Sequence, residues 1–143
     1  MKWILWMVVA LVATAGIVAL IGFFLPLSHE ASRTAEFSRP PEAVFALIAD
    51  PNGYQGWWNG ADVKTAVVES VPPSKLVTKI VGETQFGGTW TFDIVPTPTG
   101  SRLTITERGE IYNVVFRALA KFVFGYTSTM ESCLQAAQKK LAA

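Results

Sequence analysis

Cysteine and histidine are nearly absent from this sequence, which has one of each in its 143 residues, Cys133 and His29. A single cysteine excludes an intrachain disulfide framework and any zinc site built from several cysteines. A single histidine argues against a His-rich metal site. No glycine-rich segment is followed by the Gly-Lys-Ser/Thr of a phosphate loop, and no other cofactor fingerprint occurs. We therefore expect neither a metal nor a cofactor.

An excess of positive charge is also missing. Of the 12 Lys and Arg residues only Lys2 precedes residue 29, so residues 29–143 carry as many basic as acidic side chains. Neutralising the phosphates of a nucleic acid requires a basic surplus. We therefore expect no nucleic acid as a partner.

Charge is wholly missing from residues 3–25, which are almost entirely hydrophobic. At ~1.5 Å per residue, a helix of this length spans ~34 Å, enough to cross a hydrocarbon core of ~30 Å. Trp3 and Trp6 lie where an interfacial aromatic belt would be. The pattern predicts a transmembrane anchor over residues 1–28 and a single-pass membrane protein.

Two other interpretations of this segment stay open. A cleaved signal peptide usually has an apolar region of ~7–15 residues, which is shorter than this run. A helix buried in a protein core would also be apolar. The basic groups on the two flanks of the run are nearly equal in number, so the positive-inside rule gives no orientation.

Residues 29–143 show the pattern of one α+β domain. A strand is predicted over 34–39 and a helix over 42–49, where Pro41 suits the first helical turn. Four β-rich segments follow, and in several of them apolar and polar residues alternate. These segments are 63–69, 75–81, 87–95 and 101–108. Because short connections without helices join them, they predict an antiparallel sheet.

The end of the chain predicts one long helix over residues 113–143, with a bend at Gly125. Apolar residues recur there at spacings of three and four, which is typical of a helix with one buried face. This spacing predicts that the following side chains face the sheet: Phe116, Val123, Tyr126, Met130 and Leu134. A long helix over a curved sheet leaves a cavity between the two.

Two stretches of sequence resemble a known superfamily. The first is Pro-Pro-Glu-Ala-Val-Phe-Ala-Leu-Ile-Ala-Asp-Pro at 40–51, followed by Tyr54 and Trp57. The second begins with Phe-Gly-Gly-Thr-Trp-Thr-Phe at 86–92 and continues through 100–117 and Lys-Phe-Val-Phe-Gly at 121–125. The first resembles the opening of the SRPBCC (START-like, helix-grip) superfamily. The second resembles a bacterial subgroup of it that has one N-terminal membrane segment.

The resemblance implies a helix-grip fold, in which an antiparallel sheet wraps on a long C-terminal helix and encloses a pocket for a hydrophobic ligand. It also implies the bacterial inner membrane as the location. The superfamily normally has two further strands between Trp58 and Val63, where this chain has four residues. We therefore expect a sheet of about five strands that is open on one side, where a protein partner could bind.

Glu107 is the side chain with the clearest chemical potential. It follows the alternation of Leu103 and Ile105, which points it to the inner face of the sheet. There it could transfer a proton or hold a ligand, although a salt bridge to Arg117 or Arg102 is the simpler interpretation. Together with Glu107, the residues expected to line the ligand site are Trp57, Trp90, Phe92, Phe116, Val123, Tyr126 and Met130.

No nucleophile–base pair occurs in the sequence, and we expect no catalytic residue beyond Glu107 as a weak candidate. The leading hypothesis is a membrane-anchored domain, residues 29–143, that binds a hydrophobic small molecule or lipid without catalysis. The first alternative is an enzyme of the polyketide cyclase or dehydratase type. The second is a module that binds a protein partner.

Overall fold

The computed structural model describes residues 1–51, 53–54, 56–60 and 63–142. Asn52, Gln55, Ala61, Asp62 and Ala143 belong to predicted segments but lie outside the described residues. The helices are α1 (Lys2–Phe24), α2 (Pro41–Ile48), α3 (Val114–Leu119) and α4 (Ser128–Ala142), and a π-helical turn (Ala120–Phe124) follows α3. The strands are β1 (Ser28–Phe37), β2 (Thr65–Val71), β3 (Lys75–Ile80), β4 (Phe86–Thr97) and β5 (Gly100–Ile111).

The five strands form one antiparallel sheet in the order β1-β5-β4-β3-β2. The predicted α+β class and the predicted five-stranded sheet are therefore confirmed for the described residues. Strand β2 lies at one edge, and all seven of its residues are exposed.

The core lies between the inner face of the sheet and helices α2 and α4. Phe92 of β4 is paired with Ile105 of β5, and neither side chain is exposed to solvent. Val44 and Met130 are equally inaccessible in α2 and α4. Strand alternation thus brings the apolar side chains of β4 and β5 to the one face that the helices cover.

Strand β1 begins six residues earlier than the predicted strand. It pairs with β5 along its whole length, from Ser28 opposite Glu110 to Phe37 opposite Ser101. The polar residues after the apolar run therefore belong to the sheet. This places His29 inside a strand, opposite Gly109, and not in a polar linker next to the apolar helix.

The prediction of one continuous C-terminal helix is wrong. Gly125 has φ 73° and ψ 173°, so the chain leaves the helical conformation there, and α4 begins afresh at Ser128. Glycine adopts this positive φ without the steric cost of a Cβ atom. Because the helical periodicity is interrupted between Phe124 and Ser128, the spacing of three and four does not define one face across Gly125.

The break divides the residues that were expected to face the sheet. Met130 and Leu134 of α4 are 0% and 4% exposed, as predicted. Val123, which precedes the break, is 66% exposed, so the prediction that it faces the sheet is wrong. Phe116 also precedes the break, but it is 39% exposed and its ring centroid lies 6.4 Å from that of Phe86 in β4.

Helix α1 carries its apolar side chains on the outside of the molecule. Gly22 is its buried residue, and it lies against the backbone of Val114 in α3. The helix is long and apolar enough to cross a membrane, with a mean hydropathy of 2.7. A signal sequence has the same features.

Candidate functional site

A cavity of about 460 Å³ lies beside the core, on the same inner face of the sheet. Its floor is made by the neighbouring ends of β4 and β5, and its other walls include the chain from Phe116 to Thr129. Its large aromatic lining residues are Tyr54, Trp58, Phe86, Trp90, Phe116, Phe124 and Tyr126. The surface of the cavity is thus mainly apolar, and much of it is aromatic.

Pairs of residues in β4 and β5 divide the inner face into a packed part and a cavity part. The packed part ends at the pair Phe92 and Ile105. Next comes Trp90 opposite Glu107, and then Gly88 opposite Gly109. Two facing glycines place no side chain on the floor, which leaves space above the strands.

Gly109 has a specific steric role. A Cβ atom at this position would lie 2.4 Å from Cε1 of His29, closer than two non-bonded carbon atoms approach. Glycine at 109 therefore allows the imidazole of β1 to lie over β5. This arrangement brings His29 to Glu107.

Glu107 accepts hydrogen bonds at both of its carboxylate oxygens. Nε2 of His29 lies 2.8 Å from Oε1, and the indole N–H of Trp90 donates to Oε2. The side chains of His29 and Glu107 are 13% and 20% exposed, so the pair is largely shielded from water. The imidazole also stacks on the ring of Tyr126, with ring centroids 4.0 Å apart.

The expected salt bridges from Glu107 to Arg102 or Arg117 are wrong. Strand alternation places Arg102 on the outer face, where its Nε lies 2.5 Å from Oε1 of Glu36. Arg117 is buried and donates to backbone carbonyl oxygens of the chain around it. The partner of Glu107 is His29, which the sequence did not reveal because the predicted first strand begins only at residue 34.

His29 and Glu107 form a pair that can hold or move a proton. With the imidazole proton on Nε2, this N–H donates a hydrogen bond to the carboxylate, which fixes the ring, and Nδ1 is left as a hydrogen-bond acceptor. With both nitrogens protonated, the pair is an ion pair. Either state offers a polar ligand group a charged or basic partner in a mainly apolar cavity.

A second aromatic layer supports the cavity. Trp58 stacks near Trp90, with ring centroids 5.9 Å apart, and Tyr54 meets Trp58 edge to face. The indole N–H of Trp58 donates to Oγ of Ser132 at 3.0 Å. These contacts fix the Trp58 ring against α4 and make it a rigid wall.

Burial raises the pKa of Tyr54 far above its ordinary value, and the nearby Cys133 raises it further. Burial also raises the pKa of the Cys133 thiol to about 12. Both groups are therefore neutral at neutral pH and supply no nucleophile there. The acid–base pair that faces the cavity is His29 with Glu107.

The residues expected to line the site fall into three groups. Trp90, Glu107, Phe116 and Tyr126 line the cavity. Phe92 and Met130 lie fully buried in the core. Trp57 packs against the core beside Trp58, which lines the cavity, and Val123 is exposed on the outside.

No protein-family model and no curated protein matches the chain. Several solved structures do. A START superfamily protein from Mycobacterium smegmatis is 17% identical, with a TM-score of 0.61, over 80% of this chain and 97% of that one. A protein from Mesorhizobium loti is 19% identical, with a TM-score of 0.56, over 78% of this chain and 98% of its own.

A third match is the di-domain ARO/CYC StfQ from the steffimycin biosynthetic pathway. It is 12% identical with a TM-score of 0.58, and the match covers 79% of this chain and 50% of StfQ. At these identities the likeness concerns the fold alone. The fold is START-like, as the sequence resemblance predicted.

Proposed function

We propose, given the START-like fold, that this chain is a membrane-anchored domain that binds a hydrophobic small molecule or lipid without catalysis. The observation that carries the proposal is the cavity of about 460 Å³ between the sheet and residues 116–129. Ligand sites in proteins usually have volumes of about 300–1,000 Å³ and apolar walls with a few polar groups. This cavity has that size and that lining.

The apolar walls of the cavity favour an apolar occupant. Apolar surface that leaves water contributes about 25 cal/mol per Å². The walls made by Trp58, Trp90 and Phe124 gain this energy only when something apolar covers them. A polar or charged small molecule would gain little from such walls and would lose its own hydration.

The anchor is the second part of the proposal. Helix α1 exposes nearly all of its apolar side chains, which is unfavourable in water and favourable in a bilayer. Sodium carbonate treatment of membranes tests this part. A retained chain whose N-terminal sequence still includes residues 3–25 supports the anchor, and a released chain that begins near Ser28 contradicts it.

Ligand binding is tested with the full chain purified in detergent. Native mass spectrometry should find a retained lipid-sized mass, and cis-parinaric acid should displace it. Ala120 lines the cavity and is 5% exposed, so Ala120→Phe should fill part of the cavity and lower retention. The matched control Val95→Phe adds similar bulk at a residue that is 48% exposed, and it should retain the ligand. Equal retention by both variants would contradict the proposal.

A second candidate function is an enzyme of the polyketide cyclase or dehydratase type. The contact between His29 and Glu107 favours it, because a positioned pair of this kind can remove or deliver a proton. The START-like fold is shared with the di-domain ARO/CYC StfQ. Glu107→Gln separates the two candidates: an enzyme loses turnover while ligand retention persists, whereas a binding domain shows no turnover in either form.

A partner-binding role is the third candidate. Val67, Val68 and Val71 of the edge strand β2 are between 48% and 62% exposed. An edge strand with exposed apolar residues can pair with another chain. A Val67→Lys variant should abolish such an association, measured by crosslinking in membranes, and leave ligand retention unchanged.

A further inference from the structure

Five exposed apolar side chains lie on α3 and the π-helical turn. Phe122, Val123 and Phe124 are 66%, 66% and 57% exposed, and Val115 and Phe116 of α3 are 37% and 39% exposed. We call these five residues the apolar patch. Exposed large apolar side chains grouped in one short segment are typical of an interaction surface.

The π-helical turn is the reason why these residues point outward. Ala120 at its start is buried, and Gly125 ends it with φ 73°. The extra residue in a π-helical turn shifts the following side chains relative to an α-helix. Phe122, Val123 and Phe124 consequently share the outside of one turn.

Arg117 fixes the patch to the end of α1. Its Nη1 donates to the carbonyl oxygens of Gly22 and Leu25, at 3.0 and 3.2 Å. Its Nε and Nη2 donate to the carbonyl oxygens of Ile111 and Tyr112, at 2.9 and 3.3 Å. The side chain is buried, and its positive charge meets the negative end of the α1 dipole.

The backbones meet at the same place. A Cβ atom at Gly22 would lie 1.7 Å from the carbonyl oxygen of Val114, so only glycine allows this approach. The N–H of Ile111 also donates to the carbonyl oxygen of Leu27 at 3.0 Å. The point where α1 ends is therefore fixed against α3. With α1 in a bilayer, α3 and the π-helical turn come to lie at the bilayer surface.

The charge of this segment suits a membrane surface. The twenty residues 111–130 contain two cations, Arg117 and Lys121, and no Asp or Glu. Lys121 is exposed and precedes Phe122 directly. A cation next to exposed aromatic rings is typical of surfaces that enter the headgroup region of anionic membranes.

The patch is continuous with the cavity. Phe116 and Phe124 belong to the patch and also line the cavity, and their ring centroids are 6.4 Å apart. These two rings thus belong both to a wall of the cavity and to the segment that Arg117 fixes at the end of α1.

We propose that the apolar patch enters the headgroup boundary of the bilayer that holds α1, and that a hydrophobic ligand passes between the membrane and the cavity at Phe116 and Phe124. This inference rests on the proposed function, because it requires the anchor and a hydrophobic ligand. The occupant of the patch is the lipid surface.

The position of the patch is measured first, without a ligand. The full chain is reconstituted in vesicles of phosphatidylcholine and phosphatidylglycerol, with a bimane label at Val123→Cys or at the control Val67→Cys. The two native side chains are similarly exposed, 66% and 62%, and the native Cys133 is 1% exposed. Lipids with a spin label in the acyl chain should quench bimane at 123 and leave bimane at 67 in water.

The transfer step is measured second. A double variant, Phe122→Ser with Val123→Ser, should slow the uptake of an NBD-labelled fatty acid from vesicles by about tenfold or more, because the apolar patch no longer enters the bilayer. The same variant should bind this probe normally in detergent. The control pair Val67→Ser with Val68→Ser should transfer at the wild-type rate.

The outcomes separate this inference from the proposed function. Bimane at 123 in water, with the probe still bound in detergent, overturns the docking and leaves the binding function intact. Bimane at 123 in lipid, with no probe bound, overturns the proposed function and the transfer route together. Unchanged transfer by the patch variant, with bimane at 123 in lipid, overturns the route at Phe116 and Phe124.

Discussion

Arg117→Met tests the contact that fixes α1 to the rest of the molecule. The guanidinium donates four hydrogen bonds to backbone carbonyl oxygens, two in the 22–25 segment and two at 111–112. It is 8% exposed, so water does not replace these donors freely in the folded chain. Methionine fills a similar volume but donates no hydrogen bond.

The magnitude follows from those four bonds. A hydrogen bond to a charged group contributes about 1.5–3 kcal/mol, and the penalty of burying the guanidinium, which methionine removes, offsets part of the sum. We expect a net loss of roughly 3–5 kcal/mol. Since domains have free energies of unfolding of about 5–15 kcal/mol, this loss is a large fraction of the whole.

Urea unfolding of the full chain in detergent measures the loss. Trp58 and Trp90 report it, because both rings lie in the wall of the cavity. With a slope of about 1–3 kcal/mol per molar urea, the midpoint should fall by about 1–5 M. The matched control is Arg102→Met. Its side chain is 51% exposed and pairs with Glu36, so its loss should stay below about 1 kcal/mol.

Equal midpoints for the two variants would refute the reasoning. They would mean that the carbonyl oxygens around Arg117 find water or other donors without cost. Arg117→Lys adds a further check, because a lysine keeps the charge but reaches fewer of the four oxygens. Its midpoint should lie between those of the wild type and Arg117→Met.

Three further predictions concern the core and the cavity. Met130→Ala should lower the free energy of unfolding in urea by about 2–5 kcal/mol, because Met130 is fully buried. The control is Val123→Ala at an exposed residue, and an equally small loss of free energy in both variants would contradict the prediction. Glu107→Gln keeps the shape of the side chain but leaves the N–H of either His29 or Trp90 without an acceptor, so the free energy of unfolding in urea should fall by about 1–3 kcal/mol. An unchanged free energy of unfolding would show that water solvates His29 and Glu107. The pKa of Cys133 is about 12 in the folded chain and 9.0 without burial, so its contribution to stability is complete below pH 9 and is lost as the pH rises toward 12. Cys133→Ala should therefore reduce the fall of the free energy of unfolding with pH above pH 9. An equally steep fall in the variant would contradict the raised pKa of this thiol.

The sequence determined the class of the fold because its signals there are local. Alternation in residues 87–95 and 101–108 predicts strands with one apolar face, and the structure confirms both strands. The short connections between strands leave few arrangements other than an antiparallel sheet. The inward direction of Glu107 follows from the same alternation, and the structure places that carboxylate in the cavity.

Only the tertiary structure decided the partner of that carboxylate. His29 and Glu107 are 78 residues apart, and their contact depends on the register of β1 on β5 and on the absence of a side chain at Gly109. The continuous helix also failed for a non-local reason. Residues 114–119 are held by Arg117 against the end of α1, while α4 packs on the sheet, so the chain has to break at Gly125. A periodic pattern records which residues are apolar, but the surface that covers each of them is fixed only when distant segments meet.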